Sequence, residues 1–479
     1  MAGLDFGPRE ARLAQLLCAG GDERITLNPE TGLNKYYSAP YPREVIAYSS
    51  STVSDISPEA FAHLLTLPEI VDEAAYACAL DALRARMRAA YSIYPSTEVV
   101  FAPSGTDLEY VALASVLGKA EAGVHNILLG ADETGSGCIH SANGSYFADQ
   151  TALGIATEPG AKVPGCGPVS MVDIPVRCGE GAARSSAEIR EMMTVEIRIA
   201  LAAGKHALVH GVHGSKTGLV LPSLSDIDAM QAAFGEHVTF VIDACQARIT
   251  GPAIAEYLKR GCVVLMTGSK FMGAPPFSGF ALIPEALFNA VDTLPNGFAT
   301  IFNRAEWPAS WPGVGQLPEG ANPSLALRLE AAVFELERFQ TIPLEQIATI
   351  LDDFDALLEE AVIRPLGARR VLPHAEGGEC ALAKRPIEMR TLATLDVSSL
   401  AGLETFEDAK KVHAALALEG GIRLGQPVKC VRIPSGWGGT LRIGLSMPLI
   451  SRFALMKREQ ARDAMHGELA QMTDWLRRI

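Results

Sequence analysis

The sequence predicts an α/β fold with two parts: a large domain whose mainly parallel seven-stranded sheet lies between helices, and a smaller α+β domain. Short apolar runs rich in β-branched residues alternate with longer helical patterns through the middle of the chain. This alternation is typical of a parallel sheet, because each helix returns the chain to the edge where the next strand starts. Such sheets bind ligands at the carboxyl ends of their strands, and several polar residues of this chain fall there.

The predicted elements follow one another in a regular order. Strands are expected at residues 99–101, 126–130, 169–176, 207–212, 238–242, 262–267 and 280–283. Helical patterns cover residues 11–18, 58–90, 107–117, 185–203, 225–234, 324–339 and, as a last amphipathic element, 451–479. We therefore divide the chain into an N-terminal arm (1–50), a large domain (51–340) and a small C-terminal domain (341–479). The helix at 324–339 is placed to bridge the two domains.

The N-terminal arm is rich in turn residues and tyrosines, among them Tyr36, Tyr37 and Tyr41. This composition predicts an irregular segment that lies across another surface. Two interpretations are open from the sequence: a plain surface arm, or a segment that covers a binding site.

Composition and charge exclude several classes of partner. The 479 residues include 41 basic and 55 acidic side chains, which leaves a formal net charge of -14 at pH 7. Nucleic acid and anionic membranes are poor partners for such a surface. The nine cysteines show no paired metal-type spacing, and no apolar run reaches membrane-spanning length. We expect a soluble, cytoplasmic protein that binds no metal and acts on a small molecule.

The stretch from Gly261 to Gly279 places one lysine at the end of a buried strand. The apolar run stops at Thr267, and Gly268, Ser269 and Lys270 follow. Burial disfavours the ammonium form, so a lysine held at such a position is suited to attack a carbonyl carbon. The hydroxyls of Thr267 and Ser269 are suited to hold a phosphate oxygen. The alternative is a lysine that extends from the strand end to solvent.

A second motif is suited to bind phosphate. Ser104, Gly105, Thr106 and Asp107 follow a predicted strand and precede a predicted helix. Backbone N–H groups at the start of a helix attract anions. The alternative is an ordinary helix cap in which Thr106 or Asp107 is the capping residue.

A third motif ends the predicted strand at 238–242. Asp243 follows a fully apolar run, and burial of a carboxylate is costly unless it meets a cation, such as a protonated pyridine nitrogen. Gln246 has an amide that can donate to a phenolic oxygen on the same ring. The alternative is an aspartate that caps the next helix.

Two arginines near the end of the chain, Arg423 and Arg442, stand between apolar neighbours. Each either extends to solvent or points into a cleft, where a guanidinium binds a carboxylate with two parallel hydrogen bonds.

Together the motifs fit pyridoxal 5'-phosphate, and over residues 45–450 the sequence resembles the class V aminotransferase-like family of fold type I enzymes that use this cofactor. Cysteine desulfurases and kynureninases are relatives in that family. The resemblance implies that Lys270 is the Schiff-base lysine, that Asp243 and Gln246 contact the pyridine ring, and that Arg442, with Arg423 nearby, binds the substrate carboxylate. It implies phosphate contacts from Ser104, Gly105, Thr106, Thr267 and Ser269. It places Ser215 and Thr217 near the ring, and Asn322-Pro323 at the phosphate of a second subunit, hence a homodimer.

The chain departs from the family pattern at two places. Relatives carry a histidine just before the lysine, where this chain has Ser269. They also stack a histidine or aromatic residue on the ring, from a loop that here reads Asp132-Glu133-Thr134-Gly135-Ser136-Gly137. Glu133 and Thr134 are the nearest candidates for that position, and His140 is a weaker one.

The departures leave the reaction type open. Transamination of a small amino acid or related amine is the first hypothesis, with Lys270 as the base at the alpha carbon. A lyase or carbon–carbon bond-forming reaction is the second. A cysteine desulfurase would need a mobile cysteine, for which Cys430 is the candidate. A non-catalytic binding subunit is a further alternative, whereas the glycine-rich stretches 135–144 and 313–320 do not have the spacing of a dinucleotide-binding turn.

Overall fold

The computed structural model describes residues 7–131, 133–135, 137–373 and 387–478. The strands, in chain order, are β1 (Ile46–Tyr48), β2 (Glu98–Ala102), β3 (Val124–Leu129), β4 (Val169–Ile174), β5 (His206–His213), β6 (Val220–Leu221), β7 (Val238–Asp243), β8 (Val263–Thr267), β9 (Gly279–Ile283), β10 (Arg369–Val371), β11 (Leu392–Asp396), β12 (Ile422–Leu424), β13 (Arg432–Ile433), β14 (Gly436–Trp437) and β15 (Thr440–Gly444). The α-helices are α1 (Pro8–Leu17), α2 (Pro58–Thr66), α3 (Glu73–Ala90), α4 (Leu108–Ala114), α5 (Cys138–Ala142), α6 (Ser186–Ala202), α7 (Leu224–Phe234), α8 (Gly251–Lys259), α9 (Glu285–Phe288), α10 (Pro323–Gln340), α11 (Leu344–Leu358), α12 (Arg364–Leu366), α13 (Phe406–Leu418), α14 (Met447–Ala454) and α15 (Arg458–Leu476).

The central sheet has the strand order β2-β9-β8-β7-β5-β3-β4, and β6 pairs with β5 at the side of this path. Strands β4, β3, β5, β7 and β8 pair in parallel, whereas β9 is antiparallel to both β8 and β2. All seven predicted strands are therefore present in one mainly parallel sheet, and the predicted fold class is confirmed. The short β6 was not predicted. The carboxyl ends of β2, β3, β5, β7 and β8 meet at one edge of the sheet.

Both faces of the central sheet are covered, so its strands are apolar at successive positions. Along β2, Val99 and Phe101 pack into one apolar core, and Val100 and Ala102 pack into the other. Side chains of a strand alternate between its two faces, so continuous apolar runs are expected where helices cover both. This explains why the strands were recognisable in the sequence.

Two predicted helices are each divided in the structure. The pattern at 58–90 forms α2 and α3, because Pro68 lacks an N–H group and holds Leu67 in an extended conformation. The Asp72 side chain then accepts a hydrogen bond from Ala75 N and starts α3. The pattern at 451–479 is divided between α14 and α15, and Ile479 lies outside the described residues.

The C-terminal part of the chain carries the antiparallel sheet β10-β11-β15 with α11, α13, α14 and α15 around it. Helix α10 contacts α2 and α3 of the predicted large domain and α14 of the predicted small domain. Its role as a bridge between two domains stays a prediction. Strand β1 of the arm pairs in parallel with β12. The domain boundaries stay a prediction, and residues 374–386 lie outside the described residues. No helix in the described ranges has the length and apolar character needed to cross a bilayer.

Candidate active site

A cavity of about 550 Å³ opens at the edge of the central sheet where the strands end. Its lining combines loops that follow β2, β7 and β8 with residues of the N-terminal arm and of β15. The sequence-predicted residues that line it are Ser104, Gly105, Thr106, Asp243, Thr267, Ser269, Lys270 and Arg442. Residues separated by more than 300 positions in the chain therefore meet at one site.

Lys270 lies three residues beyond the end of β8, in a loop fixed by backbone hydrogen bonds. Gly268 N donates to Ser278 O (2.8 Å), and Phe271 N donates to Gln246 O (3.2 Å). A Cβ atom at Gly268 would lie 2.4 Å from the Ala332 Cβ of α10, so only glycine fits there. Within the described part of the chain, the Lys270 ammonium has no hydrogen-bond or ion-pair partner, and the amine faces the cavity.

Asp243 ends β7 beside the lysine loop. One of its carboxylate oxygens, Oδ1, accepts a hydrogen bond from Cys245 N at 2.8 Å. Thr267 Oγ1 donates to Cys245 O (2.8 Å) and thereby joins the end of β8 to the loop after β7. Burial, together with the nearby Asp243 carboxylate, raises the pKa of the Cys245 thiol well above its usual range. The loop therefore presents a carboxylate and a neutral thiol to the cavity.

The Ser104–Thr106 turn lies between the end of β2 and the short helix α4. Ser104 Oγ donates to Asp107 Oδ2 at 2.5 Å. Burial raises the pKa of Asp107 to about 6. A Cβ atom at Gly105 would lie 3.1 Å from Thr267 Cγ2, so the turn packs closely against the end of β8. The turn and the lysine loop line one cavity, and phosphate binding by the turn stays a prediction.

Arg442 lies in the middle of β15 and is 1% exposed. Its guanidinium donates to Gln426 O, to Lys216 O (3.0 Å), to Ser51 O (3.4 Å) and to Thr52 Oγ1 (3.3 Å). Among the described residues it forms no ion pair with an acidic side chain. Burial lowers the pKa of Arg442 to about 10, so the group stays charged near neutral pH. A buried cation without a carboxylate partner is suited to receive one from a ligand.

Several sequence-predicted residues do not line the cavity, among them Gln246, Ser215, Asn322 and Arg423. Gln246 donates to Ser51 O and accepts from Arg248, and Ser215 donates to Glu133. Asn322 caps α10 and donates to Gly20 O. Arg423 pairs with Asp55 (2.7 Å) and donates to two carbonyl oxygens, of Tyr36 and Val53. Each side chain has partners inside the chain, so their roles as cofactor or substrate contacts stay predictions without support from the geometry.

The loop expected to cover the cofactor ring is held by a buried ion pair. Glu133 accepts from Arg177 Nε (2.7 Å) and Ser215 Oγ (2.8 Å), and its pKa is lowered because the Arg177 charge and these hydrogen bonds outweigh burial. Glu133 therefore positions the loop and does not line the cavity, and Thr217 belongs to the same network. Thr134, Gly135, Gly137 and Cys138 do line it, whereas His140 is exposed. Asp132 and Ser136 lie outside the described residues.

Cys430 is buried away from the cavity lining, and burial raises the pKa of its thiol to about 12. A sulfur acceptor needs a mobile and easily ionised thiol. The geometry of Cys430 does not favour the desulfurase hypothesis.

The N-terminal arm contributes lining residues that were not identified from the sequence. They are Asp22, Glu23, Arg24, Lys35 and Tyr36, and Lys216 joins them from the loop after β5. Of the two interpretations of the arm, the structure supports the one in which it covers a site. No local motif marks these residues, because their position depends on contacts with distant parts of the chain.

No protein-family model matches the sequence, and no curated protein matches it significantly. In structure, the chain is similar to ureidoglycine–glyoxylate aminotransferase from Bacillus subtilis, with 14% identity over 91% of this chain and 98% of that chain and a TM-score of 0.53. It is also similar to alanine–glyoxylate aminotransferase from Nostoc sp. (16% identity, 93% and 99% coverage, TM-score 0.53). A third similar structure is a cysteine desulfurase from Escherichia coli (15% identity, 89% and 94% coverage, TM-score 0.53). These likenesses extend over nearly the whole of each chain and show a shared fold.

Proposed function

From the premise that the chain has the class V aminotransferase-like architecture of fold type I, we propose that it is a pyridoxal-phosphate-dependent enzyme that acts on a small amino acid or related amine. The observation that carries the proposal is the single cavity lined by Lys270, Asp243, the Ser104–Thr106 turn and Arg442. Each group fits a different part of one complex. Lys270 would bind the aldehyde, Asp243 the ring nitrogen, the Ser104–Thr106 turn the phosphate, and Arg442 the substrate carboxylate.

The described residues fit the cofactor. The turn at Gly105 packs so closely that a Cβ atom would reach Thr267 and Cys245, which leaves backbone and hydroxyl groups as its polar surface. Asp243 keeps one carboxylate oxygen without a backbone donor and is suited to pair with a pyridinium. Lys270 provides an amine with no competing partner among the described residues.

Pyridoxal phosphate supplies an electron sink for charge that develops at the alpha carbon of a bound amine. Lys270 attaches the cofactor and, once released, takes the proton from the alpha carbon and returns it, because its amine stays beside the reacting atom. Arg442 holds the substrate carboxylate and thereby orients the bond to be broken. Asp243 keeps the proton on the ring nitrogen, which the electron sink requires.

Within this proposal transamination comes first, and a lyase or carbon–carbon bond-forming reaction second. The reactions differ in the fate of the amino group: transamination passes it to an acceptor keto acid, which becomes a new amino acid. A lyase that releases a keto acid also releases ammonia, and a carbon–carbon bond-forming reaction keeps the amino group in its product. The non-catalytic alternative is disfavoured because Lys270, Asp243 and Arg442 share one cavity, which a binding subunit does not need. Incubation with a panel of amino acids and an acceptor keto acid, followed by analysis of keto acids, new amino acids and ammonia, distinguishes the reactions. The absence of any product would favour the binding subunit.

The proposal extends to a cytoplasmic homodimer. The support for the dimer is the resemblance at Asn322-Pro323, where relatives carry a threonine and a proline that reach the phosphate of a second subunit, although Asn322 itself is engaged with Gly20 and the start of α10. Sedimentation at several protein concentrations tests it, and a species that stays monomeric with cofactor bound would contradict it.

The decisive experiment locates the covalent bond. The purified protein is incubated with pyridoxal phosphate, reduced with borohydride and digested, and the modified peptide is identified by mass spectrometry. We expect the adduct on Lys270, and its loss in Lys270→Ala. Lys216→Ala is the matched control, because Lys216 also lines the cavity and the adduct should stay on Lys270. An adduct on another lysine of the wild-type protein would overturn the proposal.

A further inference from the structure

Arg24 of the N-terminal arm lies against the turn at which the phosphate is expected. Its Nη2 donates to Ser104 Oγ and its Nη1 donates to Thr106 Oγ1, both at 3.2 Å. These are the two hydroxyls of the turn, and all three side chains line the cavity. A guanidinium is the group best suited to bind phosphate oxygens through two parallel hydrogen bonds.

The Arg24 side chain is fixed before any ligand arrives. Asp22 accepts from Arg24 Nε (2.8 Å) and from Nη2 (2.6 Å). The guanidinium carbon also lies 5.3 Å from the ring centroid of Phe147 and 5.0 Å from that of Phe277, which is the range of a cation–π contact. An arginine held in this way loses little conformational entropy when it binds an anion.

The arm that carries Arg24 is itself anchored to α10. The fully buried Arg328 donates to Ala19 O (2.6 Å) and Gly20 O (2.9 Å), and Asn322 Nδ2 donates to Gly20 O (3.0 Å). Gly20 has a φ of +63°, and a Cβ atom there would lie 2.1 Å from Asn322 Oδ1, so glycine is required at this contact. These contacts hold the arm at the cavity, so Arg24 is part of the site.

The charges at the turn show why a cation is needed. Two acidic side chains lie beside the turn: Asp22 pairs with Arg24, and Asp107 accepts a hydrogen bond from Ser104 Oγ. The whole chain is also strongly acidic. A phosphate dianion placed beside Ser104 and Thr106 would meet repulsion from both. Arg24 is the cation whose donors already point at these hydroxyls.

We propose that Arg24 is the phosphate-binding cation of this site, contributed by the N-terminal arm of the same chain. The inference rests on the proposed function, because it assigns the phosphate to the cofactor. Arg24 moves its Nη donors from the hydroxyls to the phosphate oxygens, and the Thr106 hydroxyl then donates to the same group. The Ser104 hydroxyl joins it by turning its proton away from Asp107, to which it donates in the free protein. The arm thus contributes to the preference of the site for pyridoxal phosphate over pyridoxal.

The test compares pyridoxal phosphate with pyridoxal, which lacks the phosphate. Both are titrated against the cofactor-free protein, and the ratio of their dissociation constants measures the phosphate contribution. For Arg24→Met we expect weaker binding of pyridoxal phosphate by about 100-fold, since two charge-assisted hydrogen bonds are lost, with pyridoxal affinity unchanged. Arg24→Lys keeps the charge and should recover part of the ratio.

Arg43→Met is the matched control. Arg43 lies on the same arm, pairs with an acid at 2.8 Å and has nearly the same side-chain exposure as Arg24 (20% against 21%), but it does not line the cavity. It should leave the ratio of the two affinities unchanged. The inference would be overturned if Arg24→Met kept the wild-type ratio of the two dissociation constants, or if it weakened the binding of pyridoxal phosphate and of pyridoxal equally.

Inorganic phosphate provides an independent measurement. We expect it to compete with pyridoxal phosphate for the wild-type protein and to bind Arg24→Met more weakly. Phosphate that binds through Arg24 without weakening pyridoxal phosphate would assign Arg24 to a phosphorylated substrate and overturn the inference. If the wild-type protein forms its adduct on Lys270 and the Arg24→Met substitution does not change the ratio of the two affinities, the proposed function stands and only this inference fails.

Discussion

Arg442 and Arg423 show how little a local pattern says about the role of an arginine. Both stand between apolar residues on short strands, and both are buried. Arg423 meets Asp55, so its charge is neutralised inside the protein, whereas Arg442 meets only neutral oxygen atoms among the described residues. The sequence predicted two equivalent candidates, and only the position of Asp55, 368 residues away, distinguishes them.

We expect Arg442→Lys to raise KM for the amino-acid substrate by about 10- to 100-fold, with a smaller effect on kcat. A lysine cannot form the two parallel hydrogen bonds that a guanidinium forms with a carboxylate, which corresponds to a loss of about 1.5 to 3 kcal/mol. Steady-state kinetics of Arg442→Lys and of the control Arg423→Lys test this. Arg423→Lys should leave KM unchanged, and equal KM effects in the two variants would contradict the assignment.

At the residue scale, the sequence pointed to several cavity-lining residues that follow apolar strands, and it missed the lining residues of the arm and Lys216. Lys270, Asp243 and Ser104 were recognisable because an abrupt polar residue after a buried strand marks the ligand-binding edge of the sheet. Arg24 and Lys216 were not, because nothing in their own neighbourhood predicts which distant surface they contact.

At the scale of secondary-structure elements, α10 determines where the arm lies. Arg328 of this helix donates to Phe277 O (2.8 Å) in addition to its two contacts with the arm. Phe277 has a φ of +71°, a conformation that an aromatic residue adopts only when its surroundings hold it. One buried side chain thus fixes both the arm and the loop that carries an aromatic neighbour of Arg24.

We expect Arg328→Met to release the arm and to lower the free energy of unfolding by about 3 kcal/mol, because buried carbonyl oxygens lose their donors. Hydrogen exchange of residues 19–26 measures the release, and urea unfolding measures the stability. Arg338→Met removes an arginine of the same helix that pairs with Glu335 and Glu59 and does not touch the arm. Exchange in the arm that is as fast in the control as in Arg328→Met would contradict this prediction.

The elements themselves were largely predictable, and the errors have simple causes. Strands buried on both faces leave continuous apolar runs, which is why all seven were found. The division between α2 and α3 was visible as Pro68 but was outweighed by the apolar periodicity on either side of it. The two-residue β6 is too short to leave a periodic pattern, and it forms because β5 offers it a neighbouring edge.

At the scale of the whole molecule, stability depends on histidines that are buried in neutral form. Burial lowers the pKa of His206 to about 3, of His210 to about 3 and of His413 to about 4. The unfolded chain takes up protons at these residues near pH 6.5, while the folded chain does not. Their contribution to stability is therefore complete above pH 6.5 and is lost as the pH falls toward 4.

Buried acids act in the opposite direction. Burial raises the pKa of Glu306 to about 7 and of Glu335 to about 7, so their contribution is greatest at low pH and is lost as the pH rises through 7. The two effects partly cancel in the wild-type protein. A single histidine is therefore best studied by comparing a variant with the wild type at each pH.

We expect His206→Gln to gain about 2 kcal/mol relative to the wild type when the pH falls from 7 to 5, because the variant has no imidazole to protonate on unfolding. The amide can keep a hydrogen bond to Thr239 Oγ1, which His206 Nε2 contacts at 2.9 Å. Urea unfolding at several pH values gives the difference. His466→Gln, at an exposed position of α15, controls for the substitution itself, and a difference for His206→Gln that does not change with pH would contradict the prediction.

The pairing of β1 with β12 joins the N-terminal arm to the C-terminal part of the chain. Residues 46–48 lie beside residues 422–424, and the contacts of Arg423 with Asp55, Tyr36 and Val53 extend the same junction. The C-terminal part is therefore not a portable module, because a fragment beginning near residue 341 would present β12 as an open edge ready to pair with another molecule. A displacement of the C-terminal part relative to the central sheet would therefore act on the N-terminal arm, on which Arg24 also lies.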